Sequence, residues 1–90
     1  MDCIQKELVI QNRLGLHARA AAQFVQLANK YACEIFIEKD GEEVNGKSIM
    51  GILMLAAPQG TLVKVRTQGD DALDAIAALE QLIDNKFGED

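Results

Sequence analysis

Only one histidine, His17, stands in this chain, so no second imidazole is there to share a metal ion or a proton with it. Cysteine is almost as scarce. Cys3 and Cys33 have no CxxC neighbour, which leaves a metal site without support. No basic start leads into an apolar stretch, so no secretory signal is visible, and a reducing, cytoplasmic compartment is expected. Two free thiols packed against the core follow from that. Long hydrophobic runs are missing too. The longest, from 49 to 58, is interrupted by Gly51 and falls far short of the roughly 20 residues a membrane-spanning helix needs. Basic charge is also in short supply. Nine Lys and Arg residues face fourteen Asp and Glu residues, for a net charge of -5, and the basic residues are scattered, which argues against a nucleic-acid backbone as partner.

What remains has the balance of an ordinary globular protein, with 49% hydrophobic and 26% charged residues. Ninety residues make one domain, 1–90, with a modest core and no room for a deep enclosed active site. Ile4, Leu8 and Ile10 recur at even positions, the period-two pattern of a half-buried strand, which breaks at Asn12 to Gly15. From Ala18 to about Lys30 the spacing turns helical, with Ala21, Phe24, Leu27, Ala28 and Tyr31 on one stripe. Glu34 to Lys39 reads as a second strand with Ile35 and Ile37 on one side. Asp40-Gly41 signals a tight hairpin, because both central positions need positive φ. A short third strand follows over Glu42 to Asn45, and Ser48 can cap a short helix over Ile49 to Leu55. After a turn at Pro58-Gln59-Gly60, Leu62 to Thr67 alternates as a fourth strand. Gly69-Asp70-Asp71 opens a last helix whose apolar face is Leu73, Ile76, Ala77, Leu79 and Ile83, ending near Asn85. The order β-α-β-β-α-β-α predicts an α+β two-layer domain, four strands with helices on one face.

One segment breaks the local rules. Helices prefer Ser, Thr, Asp or Asn at the cap and acids in the first turn, but Gly15-Leu16-His17-Ala18-Arg19-Ala20 offers His17 at the cap and a cation, Arg19, against the helix dipole. A bare helix start with a cation is suited to an anion, most naturally a phosphoryl group. His17 stands there with a nucleophilic ring nitrogen, and positive surroundings would favour its neutral, attacking form. The plain alternative is an exposed loop histidine beside a solvated arginine.

The run Gly15-Leu16-His17-Ala18-Arg19 with its small-residue helix resembles the active-site signature of the histidine-containing phosphocarrier (HPr) family of the bacterial phosphotransferase system. Lys47-Ser48-Ile49-Met50-Gly51, leading into Leu53-Met54-Leu55, resembles the regulatory-serine region of that family at the family's separation, so the resemblance covers essentially the whole chain. It implies an open-faced β-sandwich, a four-stranded antiparallel sheet with three helices on one face. It implies that His17 takes a phosphoryl group from enzyme I and gives it to EIIA-type domains, that Arg19 holds the phosphoryl oxygens, and that no cofactor or metal takes part. The chain itself would be a carrier and not an independent enzyme. The family usually has proline after the arginine, where this chain has Ala20; proline would pre-set the first turn, so its absence loosens the helix start without removing a chemical group.

The resemblance also implies phosphorylation of Ser48 by an HPr kinase, which would add negative charge beside the docking surface. Leu16, Ile49, Met50, Leu53 and Leu55 would form the surface that enzyme I and EIIA domains share, since so apolar a two-turn helix cannot bury every side chain. Features of both the sugar and the nitrogen branches of the pathway are present, and a monomer is the default. An alternative within the family is a purely regulatory module read through Ser48 with His17 idle. A further motif is a decoy. Gly41 to Ser48 matches the P-loop pattern G-x-x-x-x-G-K-S, yet Glu42 and Glu43 would repel phosphates and Asp40-Gly41 predicts a hairpin there instead.

Overall fold

Alternation along the strands and a glycine-dependent turn account for the sheet. The computed structural model describes residues 3–89. Its elements are β1 (Cys3–Val9), α1 (Ala18–Ala28), β2 (Glu34–Lys39), β3 (Glu42–Asn45), α2 (Ile49–Leu55), β4 (Leu62–Gln68) and α3 (Ala72–Asp84), followed by a 3-10 turn at Lys86–Gly88. The four strands lie in the order β1-β4-β2-β3, every neighbouring pair antiparallel. Asp40 and Gly41 both take positive φ, 52° and 85°, and close the β2–β3 hairpin as their sequence demands. The P-loop lookalike is therefore a hairpin tip, a short edge strand and a helix cap.

On the inner face of the sheet, Ile35, Ile37, Val63 and Val65 are buried, and they share one core with Phe24 of α1, Ile52 of α2, and Ile76, Leu79 and Ile83 of α3. Thr67 is the polar member of that face; its hydroxyl donates to the Ala72 carbonyl at 2.9 Å, so its burial costs no unpaired group. The outer face is open and polar. There the Arg66 guanidinium lies 4.2 Å from the centre of the Phe36 ring and donates twice to the Glu43 carboxylate, at 3.0 and 3.1 Å. The expected open-faced sandwich is what the chain forms.

Several details differ from the sequence pattern. α1 ends at Ala28, because Lys30 and Tyr31 turn their amides onto the Leu27 and Ala28 carbonyls in a tighter turn. On α3 the buried stripe is Ala72, Ala75, Ile76, Leu79 and Ile83, so Leu73 and Ala77 point outward. The buried stripe is the one that meets the shared core, and the Thr67–Ala72 bond ties the first turn of the helix to the sheet. Cys33 is buried, whereas Cys3 is exposed at the start of an edge strand and does not join the core; both are free thiols. Beyond α3, Lys86, Phe87 and Gly88 take φ of 58°, 55° and 74° in succession, a reversal outside the elements read from the sequence, and Phe87 is buried.

Two contacts tie the loops down. The Asp71 carboxylate accepts the Ala32 and Cys33 amides at 2.8 and 2.9 Å and does not cap its own helix. These amides, Ala32's foremost, hold its carboxyl below the usual aspartate value. At the other end of the sheet, Gly15 (φ 67°) lies so close to the α2–β4 connection that a Cβ would stand 2.4 Å from the Ala57 carbonyl oxygen.

Gly15→Ala is expected to lower stability by roughly 2 kcal/mol or more in chemical denaturation, because a left-handed alanine and a clash with fixed backbone add together. For Asp71 the folded state binds a proton less readily than the unfolded chain. Its contribution is therefore present above the unfolded aspartate value of about 4 and is lost as pH falls through the lower folded value. Thermal melts of Asp71→Asn should accordingly show a lower midpoint than wild type at pH 7, the gap narrowing as pH drops below about 4.

Candidate functional site

The β1–α1 connection delivers His17 to the start of α1. Gly15 donates its amide to the Asn12 carbonyl (3.1 Å) and Leu16 donates to the Ala57 carbonyl (2.9 Å), which pins the loop against the segment after α2. His17 then takes extended backbone (φ -72°, ψ 178°) as the N-cap, and its carbonyl accepts the Ala21 amide at 2.8 Å. No side chain caps this end and no acid sits in the first turn, so the first-turn amides of Ala18, Arg19 and Ala20 are left for an external acceptor. Arg19 is exposed and makes no hydrogen bond or ion pair with other described residues. It lines a cleft of about 270 Å³ with Arg13, Leu14 and Glu89. His17 borders a second hollow of about 220 Å³ with Leu14, Leu16 and the 56–58 segment.

The expected surroundings of His17 were positive, and the structure corrects this. After the reversal at 86–88, Glu89 comes back onto the ring, its carboxylate oxygens 2.9 and 3.0 Å from His17 Nε2. The imidazole is about a quarter exposed. An ionised carboxylate can only accept, so Nε2 carries a proton and the second ring nitrogen, Nδ1, is left without a partner among the described residues. Asn12 supports the pair. It is fully buried and donates through Nδ2 to the Gly15 carbonyl at 2.7 Å and to Glu89 Oε1 at 2.8 Å. The Glu89 carboxyl is held below the usual glutamate value, chiefly by the Asn12 amide and then by His17 and the charge of Arg19. Neither Asn12 nor Glu89 was a sequence candidate. The available signal was Phe87-Gly88 just past a helix, a reversal pattern that would turn the following acid back toward the body of the protein.

The second predicted block lies elsewhere. Ser48 caps α2, its Oγ accepting the Gly51 amide at 3.1 Å. It sits at the opposite end of α2 from the 56–58 segment that borders the His17 hollow, about 10 Å along a seven-residue helix. Of the predicted docking residues, Ile49 and Met50 are exposed (41% and 68%) and Leu53 is half-buried. Leu16 and Leu55 are not surface residues. Leu16 is drawn inside by its backbone bond to Ala57, and Leu55 follows Ile52 on the inner stripe of α2. Met54, 70% exposed, takes the place that pattern reading assigned to Leu55, and Leu14 is exposed near the ring. No helix of the described residues is long and apolar enough to cross a membrane.

Residues 4–85 match the family model described as the PTS HPr component phosphorylation site. The chain belongs to the HPr family of the phosphotransferase system. It is 47% identical to the phosphocarrier protein HPr of Xylella fastidiosa over 87 residues, covering 97% of this chain and 98% of that one. Among solved structures it is similar to HPr-C-His of Thermoanaerobacter tengcongensis, with TM-score 0.94 and 50% identity over 97% of this chain and 98% of the other. A second similar structure is Crh of Bacillus subtilis, described as a swapped, intertwined dimer, with TM-score 0.75 and 41% identity over 92% and 95%. Within this HPr-family frame Ala20 is fully buried, so the residue at that position serves the packing of α1 as well as its start.

Removing the α2 cap tests the second block. Ser48→Ala should lower stability by about 1 kcal/mol, while Ser48→Asp, which can still cap, should leave the denaturation midpoint close to wild type.

Proposed function

We propose that His17 is the phosphoryl-accepting residue and Arg19 the residue that holds the transferred group. The observation that carries this is the first turn of α1, where a ring nitrogen without a partner among the described residues, uncapped amides and the exposed guanidinium of Arg19 occur within three residues. In the reaction the lone pair on Nδ1 attacks phosphorus of a phosphorylated donor. The bond from phosphorus to the donor breaks, its electron pair leaves with the donor, and the proton on Nε2 stays in place. The chain is asked to bind the group: the acceptor nitrogen has no partner among the described residues, and Arg19 with the α1 amides meets the charge on the phosphoryl oxygens.

The partner chemistry follows the same logic. The donor is enzyme I, charged by phosphoenolpyruvate in the cytoplasm, and the acceptors are EIIA-type domains; both would dock on Ile49, Met50, Leu53 and Met54, with Leu14 nearby. The chain serves them as one carrier domain and turns over nothing alone, passing through a phosphohistidine. Ser48 is a candidate for phosphorylation by an HPr kinase, where added charge would stand beside Ile49 and Met50 without unseating α2. The presence of both His17 and Arg19 favours the carrier reading over a module with an idle histidine.

Incubation with phosphoenolpyruvate and a bacterial enzyme I should give one acid-labile phosphoryl adduct by intact mass, absent from His17→Ala. Arg19→Ala should keep its fold and slow the transfer about 10- to 100-fold, the worth of one charge-assisted hydrogen bond. An adduct on His17→Ala, or unchanged kinetics in Arg19→Ala, contradicts the respective assignment.

A further inference from the structure

The acid that returns to His17 is held too deliberately to be a loose surface contact. Asn12 is fully buried and uses both of its amide N–H groups, one on the Gly15 carbonyl and one on Glu89 Oε1. Its own carbonyl oxygen has no partner among the described residues. A buried amide normally satisfies its acceptor as well as its donors. Turning it over would face its carbonyl against two acceptors, so the two oxygens it serves fix its orientation. One of them belongs to the loop that carries His17 and the other to the carboxylate on the His17 ring. Behind Glu89, Phe87 is buried in the core and three successive left-handed residues set the direction of the chain. The carboxylate is thus anchored at both ends, by Phe87 through the backbone and by Asn12 through the side chain.

We propose that Glu89, oriented by Asn12, is a positioning residue for phosphoryl transfer: it holds the proton of His17 on Nε2 and so presents Nδ1 as the acceptor nitrogen. This rests on the carrier reading above and adds to it a residue from outside the helix-start motif. The carboxylate touches only Nε2, the nitrogen that does not react, so it acts through the ring and not on the phosphoryl group. When Nδ1 bonds to phosphorus and keeps no proton of its own, the ring with its Nε2–H becomes cationic. A carboxylate hydrogen-bonded to that N–H stabilises the cation as it forms. The arrangement resembles the acid–histidine pairing found at metal and hydrolytic sites, where the second nitrogen is held so that the first is free to react.

A carboxylate beside a phosphoryl site could instead act as a stand-in for phosphate that must be displaced. The two roles predict opposite kinetics. As a positioning residue, Glu89→Ala should slow uptake from phospho-enzyme I about tenfold, the loss falling in kcat more than in KM because the carboxylate acts on the ring and not on the donor. As a stand-in, the same variant should take up phosphate faster.

The decisive measurement uses the full chain labelled with ¹⁵N-histidine, observed by NMR under conditions where the imidazole is neutral, with uptake kinetics on the same samples. Wild type is expected almost wholly as the Nε2–H tautomer. Glu89→Ala should raise the Nδ1–H fraction severalfold, and Glu89→Gln, which still offers an oxygen, should fall between the two. A structural role alone would move the melting temperature without moving the tautomer ratio. An unchanged ratio, unchanged kcat or faster uptake overturns the proposal while the carrier reading stands. Failure of wild type to form any adduct overturns the carrier reading and this role with it; the tautomer ratio then separately reports the hold of Glu89 on the ring.

Discussion

The contact on which the site depends is backbone against backbone, where the β1–α1 loop meets the segment after α2. Leu16 donates to the Ala57 carbonyl, and Gly15 passes within a distance that excludes any side chain. This junction sets the height at which His17 enters α1 and draws Leu16 into the core. It also forms the floor of the hollow beside the ring. From the other side Asn12 holds the same loop through the Gly15 carbonyl. A loop held through Leu16 and through Asn12 leaves little freedom to His17, which suits the proposed reading of it as a nucleophile that meets a large donor in a defined orientation.

Most of the architecture was legible in the sequence because it follows from local rules that act alone. Asp40-Gly41 needs two positive φ values whatever surrounds it, and Ser48 caps α2 with no help from the rest of the fold. The strand alternation at Ile35, Ile37, Val63 and Val65 points one way only. Errors came where tertiary contacts set a rotation or an end. Leu73 and Ala77 look as apolar as their neighbours on α3, and which stripe faces the sheet depends on how Ala72, Ala75, Ile76, Leu79 and Ile83 pack into the shared core. On α2 the pattern could say that some apolar residues must be exposed. Assigning Met54 rather than Leu55 to the surface required knowing where the sheet lies.

The candidate site was legible in its local half. His17 at a cap position and Arg19 against a dipole conflict with local preferences that any reader of the sequence can apply. Glu89 and Asn12 were not, since 72 residues separate Glu89 from His17 and 77 separate it from Asn12, and neither breaks a local rule. Only the left-handed reversal at 86–88 brings them together. The cysteines show the same division: both were expected against the core, but Cys3 is exposed because β1 lies at the sheet edge.

A carrier differs from an enzyme in needing a bound group that it can release. A site built only of cations and amides would hold a phosphoryl dianion tightly and pass it on slowly, because ground-state binding and transfer oppose each other. In the proposed reading this site is mixed. Arg19 and the α1 amides attract the oxygens, whereas Glu89, which shares a cleft with Arg19, sets a negative charge on Nε2. That charge favours the cationic ring and disfavours the added phosphoryl charge, so the two effects partly offset within one contact. The offset is available because Glu89 sits on Nε2 and not in the path of attack. The same carboxylate on the Nδ1 side would block the reaction it assists from behind.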